Sequence, residues 1–130
     1  GAGVVDRLYS LGFKDVIGIN AGSKPDNPRY RNKRAEMWDK VKEWLEAGGD
    51  IPNDPELIAE LTSVQYEYAV GDKLQLEKKE DMKARGSKSP DIGDALAISM
   101  AMPVANDNRQ DYDYDDYEHE STKPNKVTGY

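Results

Sequence analysis

The sequence predicts an α/β domain in which three short strands are flanked by helices and followed by an acidic tail. Three observations carry that expectation. Apolar residues recur at helical spacing in several stretches, two neighbouring segments alternate with period two, and apolar periodicity stops after Val104.

Val4, Val5, Leu8 and Leu11 share a helical face and Gly12 ends the run, so residues 3–11 are expected to be helical. Asp15–Asn20, with Val16, Ile17 and Ile19, is β-rich and predicts a short buried strand. Residues 21–31 are rich in Gly, Pro, Asn and Asp and predict a loop. Ala35, Trp38, Val41 and Leu45 then mark an amphipathic helix over 32–47, stopped by Gly48-Gly49. Pro52-Asn53-Asp54-Pro55 opens a shorter helix over 56–62, with Leu57, Ile58 and Leu61 inward. Residues 64–69 and 73–77 alternate, and Val70-Gly71-Asp72 between them predicts a hairpin turn. Residues 78–85 predict a polar helical turn or two, and a last helix is expected from Pro90 to Met102, ended by Pro103. The order is α-β-α-α-β-β-α-α, without an internal repeat. Three strands make a thin sheet for so many helices, and strands missing from the chain are expected.

At 130 residues the chain is one ordinary domain with one modest core. Residues 105–130 carry seven acids and three bases, a net of −4, which leaves a net of −3 for residues 1–104. An acidic balance argues against a general nucleic-acid coat protein, yet not against a nuclease whose carboxylates are neutralised by metal in use. No cysteine is present, which rules out disulfides and thiolate metal sites. The single histidine, His119, lies in the tail and leaves almost no material for a histidine triad or zinc site. No apolar run reaches the length of a membrane span and nothing resembles a signal peptide, so a cytoplasmic setting is expected. The chain starts without methionine, at Gly1-Ala2-Gly3, which reads as the inside of something longer. Asp111 to Glu120 is too acidic and repetitive to build a core, and a disordered tail over 104–130 is expected.

The stretch Arg85-Gly-Ser-Lys-Ser-Pro-Asp-Ile-Gly-Asp-Ala-Leu96 places two carboxylates three residues apart at the mouth of the last helix. Ser89 is a good N-cap, Pro90 suits the first helical position, and Asp91 suits the positive end of the helix dipole. Asp94 lies a turn further in, followed by Ala95, Leu96, Ala97, Ile98 and Met100, a run bound for a core. A carboxylate entering such a setting must be protonated, paired or bound to a cation. Metal-dependent phosphodiester chemistry is one reason to keep it there. A bond to a neighbouring lysine or to backbone is the other.

Four blocks in order resemble the C-terminal part of the nuclease domain of tailed-phage terminase large subunits. They are Gly1-Ala-Gly-Val-Val-Asp-Arg-Leu8, Tyr30-Arg-Asn-Lys-Arg-Ala-Glu-Met-Trp38, Leu74-Gln-Leu-Glu-Lys-Lys-Glu-Asp-Met-Lys-Ala-Arg-Gly86 and Ser89-Pro-Asp-Ile-Gly-Asp-Ala-Leu96, spread over residues 1 to 101. The resemblance implies a truncated RNase H-like nuclease domain over 1–103, a partial mixed sheet with flanking helices. It further implies an endonuclease that cuts concatemeric double-stranded DNA with two divalent ions, Mg²⁺ or Mn²⁺, about 3.5–4 Å apart. The last of the family's three acidic positions falls in the fourth block and is placed on Asp94, as catalytic residue and metal ligand. Asp91 is a supporting or alternative ligand. The other two acidic positions, and the ATP-binding motor domain, would precede Gly1, and Asp6 matches a family position that is not a ligand. The small terminase subunit and the portal are the implied partners, in the host cytoplasm and away from any membrane.

Basic residues surround the motif. Lys78, Lys79, Lys83, Arg85 and Lys88 lead into it, and Arg31 and Arg34 belong to the densest basic run, with Arg29 and Lys33. Contact with DNA phosphates, which positions without reading sequence, is one reading of both groups. A solvated helix face with Glu80–Lys83 pairing, and ion pairs with Glu36 and Asp39, is the other. Glu77 could reach metal or hold a base. Trp38 and Trp44 are expected as core or half-buried packing, and the tail tyrosines as part of a solubilising segment. One or two carboxylates cannot hold two metals, so the chain alone is expected to be inactive. The alternative is a stand-alone remnant or split-gene module that binds the packaging machinery or DNA.

Overall fold

Asn32 and Asp54 start the two helices on which the fold is built. The Asn32 side chain accepts from the Ala35 amide and the Asp54 side chain from the Glu56 and Leu57 amides, satisfying donors that a helix start leaves unpaired. The computed structural model describes residues 2–103 and shows a small mixed α/β domain of five helices and a two-stranded antiparallel sheet. The elements are α1 (Ala2–Ser10), α2 (Lys33–Glu46), α3 (Pro55–Ser63), β1 (Tyr66–Ala69), β2 (Lys73–Leu76), α4 (Lys79–Ala84) and α5 (Asp91–Ile98). The expected tail, with His119, lies outside the described residues.

The core forms where the apolar stripe of α2 meets α5. Met37, Trp38 and Val41 pack with Ala97 and Ala101, and Leu45, Leu61, Val64 and Leu76 close around them. Helix α3 packs on α5, and β2 lies along α2. Just past the end of α2, Gly48 has φ +99°, a left-handed conformation that L side chains avoid, so the chain turns out of the helix there. The hairpin turn falls on Val70-Gly71-Asp72 as expected, with Gly71 at φ 78° and Asp72 at φ 55°. Tyr66 pairs with Leu76 and Tyr68 with Leu74 across it.

Two expectations are corrected. Residues 15–20 form no strand, because they have no neighbouring strand among the described residues with which to build a ladder. Ile17 is exposed there, and only Ile19 reaches the core. A third line of the sheet comes instead from the expected loop. Tyr30 bridges Leu74 in parallel, with the Leu74 amide donating to the Arg29 carbonyl and the Arg31 amide donating to the Leu74 carbonyl, at 2.9 and 2.8 Å. Helix α5 also ends early, at Ile98. Ser99, Met100 and Ala101 donate to carbonyls three residues back, and the Ser99 hydroxyl binds the Leu96 carbonyl at 2.6 Å, tightening the last turn ahead of Pro103.

Candidate functional site

Spacing of four on α2 puts Arg34 and Trp38 on one helix face, and α5 lies against that face. The carboxylate of Asp94, in the first turn of α5, meets both. Trp38 Nε1 donates to Asp94 Oδ1 at 2.9 Å and Arg34 Nε donates to the same oxygen at 3.4 Å. Lys79, at the start of α4, approaches the other oxygen at 2.6 Å. Arg34 also lies over the Trp38 ring and donates through Nη1 to the Glu77 carbonyl at 3.1 Å. Its remaining nitrogen, Nη2, is buried without an acceptor among the described residues. A cavity of about 360 Å³ borders the cluster, with Arg34, Lys79, Asp91 and Asp94 on its wall.

Burial alone would push the Asp94 carboxyl up. Hydrogen bonds from Lys79 and Trp38, with the charges of Arg34 and Lys79, outweigh burial and hold it below the usual carboxylate range. Asp94 is therefore ionised at neutral pH. The expected bond to a neighbouring lysine is present, and the indole N–H of Trp38 is a partner that sequence reasoning missed. A buried indole N–H needs an acceptor, but nothing in the sequence names Asp94 as that acceptor.

The expected Ser89 cap is corrected by one residue. Helix α5 has Pro90 in the cap position, with no side-chain bond there, and the Ser89 hydroxyl instead donates to Asp91 Oδ1 at 2.7 Å. The helix start is stabilised from a distance, because Glu60 of α3 accepts from the Gly93 amide at 2.7 Å. No signal in the sequence links Glu60 to that turn.

The basic candidates divide into three groups. Arg34 and Lys79 belong to the Asp94 cluster. Arg85 grips Glu77 through Nε at 3.0 Å and also donates to the Ser63 carbonyl and the Ser87 hydroxyl, tying α4 to the hairpin and α3. Glu77 is held below the usual carboxylate range chiefly by that contact. Lys78, Lys83, Lys88 and Arg31 are exposed and in no ion pair among the described residues. The expected pairing of the other basic run is observed: Lys33 Nζ lies 2.9 Å from Glu36 and 2.7 Å from Asp26, and Arg29 lies 3.6 Å from Asp39. Glu36 also accepts from the Asp26 and Asn27 amides, so one buried carboxylate pins the loop before α2.

Among the described residues no group of three acidic or histidine side chains is placed to hold a metal ion. Asp94 is one carboxylate with both oxygens in contact with protein donors, and Asp91 has an oxygen turned to Ser89. These residues alone do not make a divalent-metal centre, which needs several hard oxygen ligands. No family model, curated protein or solved structure matches this chain. No helix among the described residues is long and apolar enough to cross a membrane.

Proposed function

We propose that this chain is the C-terminal part of a terminase large-subunit nuclease domain, RNase H-like, within an endonuclease that uses Mg²⁺ or Mn²⁺ to cut concatemeric viral DNA. The observation that carries this reading is the charge balance at Asp94. Two cations, Arg34 and Lys79, meet one carboxylate beside an open cavity, and one guanidinium nitrogen has no acceptor among the described residues. An enclosed guanidinium nitrogen without an acceptor among the described residues, with Asp91, the other acid on the wall, turned to Ser89, suits a site completed from outside by another acid or by a phosphate oxygen. In this reading Asp94 is the one acidic position that the chain contributes, Asp91 supports it, and Lys78, Lys83 and Lys88 attract the DNA backbone. The remaining acids and the ATPase part stand upstream, and the small subunit and portal are partners of the whole.

The test is the length of the natural polypeptide, read by mass spectrometry of its peptides. The reading expects peptides upstream of Gly1 that carry strand-borne acids and a nucleotide-binding motif. It also expects no nicking of supercoiled plasmid by the chain alone with Mg²⁺ or Mn²⁺. Nicking that Asp94→Ala abolishes would show the site to be complete in this chain.

A second reading rests on the same cluster. Both Asp94 oxygens already have protein donors, as a structural carboxylate in a binding module would. A native product beginning near Gly1, folded and retained on duplex DNA or packaging proteins, favours that module over the nuclease.

A further inference from the structure

A second cavity, of about 500 Å³, opens at the loop that leads into α2, and Lys24, Arg31 and Lys73 all border it. None of these three cations takes part in an ion pair among the described residues. Asp26, the one acid on the wall among the described residues, is engaged by Lys33 at 2.7 Å.

Like charges repel, so their convergence needs a scaffold, and the loop supplies one. The Gly22 amide donates to the Asn20 side chain at 2.9 Å, and the Lys33 amide donates to the Ser23 carbonyl at 2.9 Å. The amides of Asp26 and Asn27 both donate to Glu36. The Arg31 backbone N–H donates to the carbonyl of Leu74 at 2.8 Å, which ties its backbone to the residue next to Lys73 on β2. Each cation is therefore carried by backbone that is tied down before any ligand arrives, which lowers the ordering cost of binding.

We propose that this cavity binds a phosphate group through Lys24, Arg31 and Lys73. Three cations without an ion pair among the described residues exceed what one carboxylate can neutralise, and Arg31 offers the planar fork that phosphate oxygens match. The volume lies in the range of small-ligand pockets, large enough for a nucleotide. Ala21 lines the Asp94 cavity and Gly22 lines this one, so the two sites adjoin at a single peptide step. The inference requires only this pocket and stands whether or not the nuclease reading does.

The experiment is an amide-shift titration of the whole chain with inorganic phosphate, at constant ionic strength. Saturable shifts are expected at Gly22, Ser23, Lys24, Arg31 and Lys73. Arg31→Gln and Lys24→Gln should each weaken binding about tenfold, the size of one lost charge-assisted contact, whereas Lys42→Gln, an equal charge change elsewhere, should leave it unchanged. Shifts that never saturate, or equal losses in Lys42→Gln and the pocket variants, overturn the proposal. Adenosine monophosphate and duplexes with 5′-phosphate or 5′-hydroxyl ends identify the source. Competition by the nucleotide assigns a free phosphate monoester, and competition by the phosphorylated duplex alone assigns a nucleic-acid end.

Discussion

Removing the charge of Asp94 separates its two cations by their exposure. Lys79 is 43% exposed and can turn to water, whereas Arg34 is 14% exposed and cannot. At an effective dielectric of about 20, a contact at these distances is worth roughly 5 kcal/mol before desolvation and screening. Little of that survives for the exposed lysine, about 0–1 kcal/mol. The enclosed arginine bond retains about 1.5–3 kcal/mol, as charged hydrogen bonds do. Asp94→Asn should therefore lower unfolding stability by about 2–3 kcal/mol, measured by urea denaturation followed through tryptophan fluorescence. Double-mutant cycles should give a larger coupling for Asp94 with Arg34 than with Lys79. The pH dependence has a definite sign. Because the folded carboxyl titrates below its unfolded value of about 3.9, its stabilisation is complete above that pH and is lost as pH falls through the folded value. Asp94→Asn should accordingly flatten the acid limb of the stability curve below about pH 4. A variant within about 0.5 kcal/mol of the parent, or a Lys79 coupling exceeding that of Arg34, would refute the account of the cluster.

Three further outcomes follow from the geometry. A Cβ at Gly93 would lie 2.8 Å from the Trp38 ring, so Gly93→Ala should cost about 1–3 kcal/mol despite its better helix propensity, with a shifted tryptophan emission maximum. Glu36→Gln removes the carboxylate that holds buried Lys33 and two loop amides, and should destabilise by about 3 kcal/mol in thermal or urea unfolding. If Lys83 and Lys88 attract a DNA backbone, replacing both with Gln should reduce the slope of log affinity against log salt by about 2 in a filter-binding series.

Most helices were legible because their signals are local. The helices begin within a residue or two of where the pattern starts them, with Asn32 and Asp54 as caps, and Trp38, Val41 and Leu45 form the inward stripe that periodicity predicts. The hairpin was legible for the same reason, since Gly71 and Asp72 supply the positive φ values its turn requires. Residues 15–20 were not, because a strand depends on a neighbour that no local composition announces. The Tyr30–Leu74 bridge and the Glu60–Gly93 bond fail in the same way, joining positions far apart in sequence. At the site, Asp94 was visible as a carboxylate in an apolar run. Its three partners were not assignable, because Arg34 and Trp38 reach it only through the packing of α2 on α5, and Lys79 only through a side chain that spans from α4.

The unequal burial of those partners also bears on how the cluster could serve chemistry. A carboxylate held only by fixed cations would be locked into a structural role, and one held by none would be protonated by its apolar surroundings. Asp94 has one enclosed partner, Arg34, and one partly solvated partner, Lys79, on opposite oxygens. Lys79, Trp38 and Arg34 together keep it ionised, and Lys79, the most exposed of the three, is the partner that an incoming cation would displace at least cost. The released lysine would remain at the cavity wall, available to an approaching anion. Arg34 Nη2, without an acceptor among the described residues, adds a second demand for negative charge at the same place. That combination is the physical link between the observed ion cluster and the nuclease proposal, and it turns on Lys79 rather than on Asp94. Lys79→Met should leave folding stability within about 1 kcal/mol of the parent, while exposing one Asp94 oxygen to solvent. Chemical-shift titration of that variant with Mn²⁺ should then show stronger line broadening around α5 than the parent does. Equal broadening in both proteins would mean that Lys79 does not guard the carboxylate.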